Sequence, residues 1–188
     1  TATDQDGNTF EWINYGTQDW AIENAEVVTY RDGTPIPQVT DNTEWRNLNT
    51  GAWCYYGNDP SKGKLYNWYA VNDPRGLAPK GWRMAADSDW KALMVTLHKQ
   101  DLDAMALQHS SFIGEYPDAD VLHFHAYGSG YRKESGQFTN MDKYASFWSK
   151  DTLNAFSANA FHLDKKRFTP LYGSYYRTGG FSVRCLKN

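Results

Sequence analysis

Cysteine is almost missing from this chain, with only Cys54 and Cys185 among 188 residues. So few exclude a disulfide-rich scaffold, and their wide separation excludes a zinc knuckle, leaving one bridge or two free thiols. Long apolar runs are missing too. No stretch approaches the roughly 20 residues that cross a bilayer as a helix, and the mean hydropathy is -0.73. A membrane-spanning protein is excluded on that reading. Nor is positive charge in excess: 19 Lys and Arg face 22 Asp and Glu, with the signs interleaved. No basic stripe is left to neutralise phosphates, so nucleic acid is a poor partner. The chain begins at Thr1 without a basic and apolar leader pattern, which reads as a processed or trimmed chain.

What is abundant is aromatic surface, with 8 Trp, 13 Tyr and 9 Phe. A disordered chain does not carry that much buriable area. A chain of this length buries about 70% of its unfolded surface around one core, so a single domain over residues 1–188 is expected.

Asp4 to Asn8 has turn composition, and Phe10 and Trp12 then alternate with polar neighbours, which predicts a hairpin. Asp32 and Gly33 mark a second turn, while Pro35 and Pro37 exclude helix from Tyr30 to about Thr40. Asp41 to Thr50 is polar around Trp45. Leu65, Trp68, Tyr69 and Asn72 share one helical face and predict a short helix. A longer helix is predicted by the stripe Trp90, Leu93, Met94 and Leu97, capped by Asp87 and closing on His98 and Lys99. Leu102 to Gln108 reads as a further helical turn or two. From Phe112 onward, short aromatic runs broken by glycine predict strands and structured loops.

For chemistry, no nucleophile elbow, phosphate loop or dinucleotide fingerprint is present. Carboxylates are too numerous to single out a glycosidase pair. Asp4, Asp6 and Asn8 lack the spacing and closing Glu of a calcium loop and read as a plain turn. His123 and His125 would share one face of a strand, with Asp118 and Asp120 nearby. Two histidines do not fix a metal, so they read as a partly exposed pair, with no metal and no cofactor. Trp68, Trp82, Trp90 and Trp148 read as core. Between Tyr127 and Tyr176 the aromatics alternate with Ser, Asn, Asp and Gly, the composition of adaptable recognition surfaces. Period-2 alternation should turn about half of them inward.

Several motifs then occur in a consistent order. Asp4, Asp6, Gly7, Asn8 and Phe10 lead to Gly16, Gln18, Trp20, Glu23 and Asn24. The run from Cys54 to Asp59 is followed by Leu65 to Val71, and Pro79, Gly81, Trp82 and Arg83 lead to Trp90. The second half adds Gly130, Tyr131 and Arg132, then Gly136 and Phe138, Phe147 to Ser149, and the closing Gly180 to Cys185. Together they resemble the Fibrobacter succinogenes major paralogous domain, found in secreted and surface proteins of Bacteroidetes and Fibrobacteres. That family is similar to the C-type lectin fold, a grouping that holds formylglycine-generating enzymes and the variable proteins of diversity-generating retroelements.

The resemblance implies an α+β, C-type lectin-like fold, with two helices flanking short, twisted antiparallel strands and long loops. It implies a Cys54–Cys185 disulfide in an oxidising, extracellular setting. Only Cys185 lies where formylglycine-generating enzymes hold copper with two cysteines, so their chemistry is not implied. The short signatures of sugar-binding C-type lectins are absent. In the retroelement proteins the C-terminal region is the ligand-binding face. By that resemblance Tyr144, Phe147, Asp151, Leu153, Phe156, His162, Tyr172, Tyr175 and Tyr176 are the candidate contacts. The implied function is a secreted or cell-surface recognition module for a protein or glycan, non-enzymatic and without catalytic residues. The alternative is a structural subunit of an extracellular filament or envelope assembly, built by self-assembly of identical copies. An enzyme acting on polysaccharide is the weakest reading.

Overall fold

The computed structural model describes residues 1–188 throughout. Its first half holds β1 (Ala2–Thr3), β2 (Thr9–Phe10), β3 (Trp12–Tyr15), β4 (Gln18–Ala21), β5 (Trp53–Tyr55), β6 (Lys64–Asn67) and β7 (Trp82–Met84). The second half holds β8 (Ser129–Arg132), β9 (Phe138–Met141), β10 (Tyr144–Thr152), β11 (Ser157–Asp164), β12 (Leu171–Tyr176), β13 (Gly180–Phe181) and β14 (Cys185–Lys187). They form four sheets, ordered β1-β2, β3-β4-β14-β7, β5-β6-β13-β8-β9 and β10-β11-β12. Neighbouring strands in each sheet run antiparallel.

Helix is scarce beside this. Only α3 (Asp87–His98) is long; α1 (Asn42–Arg46), α2 (Trp68–Val71) and α4 (Ser110–Ile113) have four or five residues each. The α+β, C-type lectin-like expectation of two flanking helices is therefore overturned: the chain is mostly β, with one long helix. The second helix fails at Asn67. Lys64–Asn67 is strand, and the buried Asn67 amide ends it, its Oδ1 accepting the N–H groups of Ala52 and Ala70 at 3.0 Å each. Only the turn after it is helical.

The first turn of the chain is built as expected from side-chain carboxylate. Asp4 Oδ1 accepts the N–H groups of Asp6 and Asn8 at 2.9 Å each, while Asp6 reaches out to the Val28 N–H at 2.6 Å. The cap of α3 differs from the prediction. Ala86 precedes the helix and Asp89 accepts its N–H at 2.8 Å, with Arg83 forked onto the same carboxylate. Asp87 instead accepts from Asn159 Nδ2 at 2.7 Å.

The sheet β10-β11-β12 is covered on both sides. Ala145, Phe147, Phe161 and Leu163 join one core cluster with Trp20, Trp90 and Phe124. Trp148, Ala158 and Ala160 alternate with them and join a second cluster with Tyr66, Trp68 and Phe181. Trp90 on α3 stacks on Phe161 at 4.3 Å and 6° between planes. Trp148 lies 4.3 Å from Phe181 and donates its indole N–H to the Tyr66 carbonyl at 2.7 Å. Trp68, Trp82, Trp90 and Trp148 are all buried, as expected of core residues.

The expected Cys54–Cys185 bridge does not form; both thiols are free and buried. Their places in the fold explain it. Cys54 pairs with Leu65 in the five-stranded sheet and packs with Val39 and Trp45, whereas Cys185 pairs with Met84 in the four-stranded sheet and packs with Trp82. Burial pushes Cys54 up to about 11 and Cys185 up to about 12, which leaves both thiols unreactive. Alkylation without reductant should label neither quickly in the native protein and both after denaturation. A denatured, unreduced mass two hydrogens short would contradict this placement.

Candidate functional site

The nine C-terminal candidates divide sharply. Leu153, Phe156, Tyr172 and Tyr176 are exposed by 65%, 73%, 47% and 58%. They come from two neighbouring pieces, the tip joining β10 to β11 and the edge strand β12. The tip is rigidly made: Asn154 Oδ1 accepts the N–H groups of Phe156 and Ser157 at 2.8 and 2.9 Å. It is also tied to the end of β12, because Arg177 donates to the carbonyls of Phe156 and Asn154 at 3.0 Å each. Along β12 the exposed residues are Tyr172, Ser174 and Tyr176, the positions that share one face of a strand.

The other candidates are less accessible. Phe147 is wholly buried and lies 5.4 Å from Trp90, so it is a core residue and not a contact. Asp151 is occupied, its Oδ2 accepting the Asp87 N–H at 2.7 Å in the first turn of α3. Tyr144 is half-buried beside His162. Tyr175 faces inward, 4.9 Å from Phe181 and 5.6 Å from Tyr131, and burial raises its phenol to about 12. Pairing decides this: Tyr172 stands opposite the core residue Phe161, while Tyr175 stands opposite Ala158 on the other face.

His162 is likewise buried. Its Nδ1 lies 2.9 Å from Ser146 Oγ, and its Nε2 has no partner. Tyr131, Tyr144, Tyr175 and Phe181 surround the ring, and this desolvation lowers its pKa from 6.5 to about 4. The imidazole is a neutral core group at neutral pH.

Two polar residues of the exposed face escaped the sequence reading. Ser174 Oγ donates to Asn159 Oδ1 at 2.8 Å, and Asn159 Nδ2 donates on to Asp87. Only the pairing of β11 with β12 brings them together, and no local motif announces that.

A second locus lies in the loop before β8. The expected strand through His123 and His125 is absent; Asp120, His123 and His125 all have left-handed backbone, each with φ of 53°. The loop nevertheless gathers their ligand atoms within 4.8 Å of one another. Asp120 is the carboxylate involved, not Asp118. Beside it a cleft of about 510 Å³ is lined by Glu23, His125, Tyr127, Asp142 and Arg184, among others. No helix of the protein is long and apolar enough to cross a membrane.

A family model described as the Fibrobacter succinogenes major domain matches residues 13–187. No curated protein and no solved structure matches the chain.

His162 gives a pH-dependent expectation. Its depressed folded pKa means that the unfolded chain binds more protons between about 6.5 and 4. Stability is therefore full above the unfolded value and falls as the pH drops through that window. The loss amounts to about 3 kcal/mol. Urea titrations of wild type and His162→Phe at pH 7 and pH 4 should show the wild type losing that much more than the variant. Parallel losses would mean that the ring is not held neutral.

Proposed function

The chain belongs to the Fibrobacter succinogenes major domain family, and from that premise we propose a non-enzymatic recognition module that works outside the cell and holds a polypeptide partner on its C-terminal face. The extracellular setting rests on the resemblance to secreted and surface proteins. One observation carries the rest: Leu153, Phe156, Tyr172 and Tyr176 gather four large exposed side chains on the β10–β11 tip and the edge of the sheet. Tyrosine there supplies wide, stiff contact area with a polar end, and Ser174, Asn159 and Asn154 supply hydrogen-bonding groups between the rings.

A polypeptide suits this face better than a sugar. β12 ends its sheet, so one edge of its backbone has no strand beside it. Its sequence from Leu171 to Tyr176 carries no charge and no proline, the devices that usually guard such an edge. An extended partner segment can add a strand there and seat alternate side chains against Tyr172 and Tyr176. The same edge on a second copy would give the structural-subunit reading, and a glycan would use the rings without the edge.

Phe156→Ala/Tyr172→Ala/Tyr176→Ala should melt within several degrees of wild type, because Phe156 and Tyr176 are mostly in solvent and Tyr172, half-exposed, meets the core edge-on at Phe161. Selection of a random-peptide library on immobilised wild type should enrich binders that the triple variant does not retain. Peptides that hold equally to both proteins, an unenriched library beside a positive glycan array, or a dilution-resistant polymer in sedimentation would each refute the polypeptide reading. Tyr175→Ala, by contrast, removes a packed ring and should cost roughly 2 kcal/mol or more in a denaturant titration.

A further inference from the structure

We propose that Asp120, His123 and His125 bind a single divalent transition-metal ion of the zinc class, a role distinct from the aromatic face. The donor set, two imidazoles and one carboxylate, suits zinc and its neighbours, whereas calcium and magnesium take oxygen ligands. The spacing suits it too. His125 Nε2 and Asp120 Oδ2 are 3.4 Å apart, and two donors about 2.1 Å from one tetrahedral ion stand about 3.4 Å from each other. All three ligand atoms lie within 4.8 Å of one another, so a small closure of His123 completes the set.

The loop that carries the donors is held in place through its backbone. Asp120 Oδ1 accepts the His125 N–H at 2.8 Å, which leaves Oδ2 as the free oxygen. Arg184 donates to the carbonyls of Phe124 and His125 at 2.7 and 3.0 Å, and Tyr15 Oη donates to the Leu122 carbonyl at 2.8 Å. These two side chains, one at the end of β3 and one just before β14, fix the loop on either side of His123. The Asp120 side chain is 11% exposed and His125 32%, while His123 is open to solvent. The ion thus has an entry path, and three protein ligands leave it one position for water beside the cleft.

The test uses the untagged chain and Zn2+ alone, followed by calorimetry, with Co2+ as a visible-absorption reporter of coordination. Wild type should take one ion per chain. Asp120→Asn keeps the acceptor for the His125 N–H, and His123→Asn keeps a residue that tolerates left-handed backbone, so both should fold with metal-free melts near wild type. Each should weaken zinc binding at least tenfold, while His98→Gln, exposed on α3, should leave it unchanged. Zinc affinity unaltered by the two loop substitutions, affinity lost with His98, or no saturable uptake by wild type would overturn the site.

Discussion

Arg184 is 1% exposed and makes no salt bridge, Glu23 and Asp120 acting on it only from a distance. Its donors go to Asn24 Oδ1 at 2.7 Å and to the carbonyls of Ala21, Phe124 and His125, while the Phe124 ring lies 4.5 Å from the guanidinium. An isolated buried cation costs several kcal/mol, and burial draws this one down to about 10, still protonated at neutral pH. Such a group persists because its planar fork satisfies several acceptors at once. The acceptors come from the end of β4, the segment after it and the loop before β8, so one side chain joins three parts of the chain. Losing it would orphan backbone carbonyls, which costs more than the bonds themselves contribute. Arg132 repeats the device between Trp45 and Phe138, donating to the carbonyls of Val39, Thr40 and Gly136. Gly136 has φ of 88°, and a Cβ there would meet Asn42 Cα at 2.7 Å, so this approach admits only glycine.

With loops anchored by arginine, the sheet β10-β11-β12 can act as a partition between two aromatic clusters. Its alternation is consequential because a shift of one residue would exchange every side chain between the clusters. Phe147 and Phe161 face Trp90 on one side, Trp148 faces Phe181 on the other, and His162 shares the second side, shut in with tyrosines. The partition runs out at β12. There Tyr175 still finds neighbours, Tyr172 rests edge-on against Phe161 at 5.5 Å with half of it in solvent, and Tyr176 is the most open of the three.

This division also explains what could be read from the sequence. The hairpin at Asp4, the long helix under Trp90 and the buried tryptophans were legible, because turn chemistry and a 3.6-residue stripe are local signals. The motifs ending in Arg184 and Cys185 pointed to the family, and nearly the whole chain matches it. They misled on the fold class and on the bridge, because two cysteines in recurring motifs say nothing of how far apart their strands lie. The α1 turn was missed although Asp41 and Glu44 carry the spacing of a capping pair; Asp41 accepts the Glu44 N–H at 2.8 Å. Among the site candidates, alternation foretold that about half would turn inward, but not which. That depends on Tyr172 standing opposite Phe161 and Tyr175 opposite Ala158, and cross-strand pairing has no local signature.

Edge strands bear on the same question from the side of solubility. A six-residue edge with no charge is a template for unwanted pairing; packing accounts for Tyr175 and for the side of Tyr172 that meets Phe161, but not for the missing charge. The strand could carry lysine at position 174, where the side chain is exposed, without disturbing Tyr175 or the core behind it. Instead Ser174 bonds Asn159, which holds Asp87 at the start of α3, so the exposed face is ordered by hydrogen bonds running back to the helix. Such an edge, aromatic and uncharged yet ordered by hydrogen bonds, fits the recognition face proposed above. Rigidity lowers the entropy lost when something binds, and that is the property a recognition face requires.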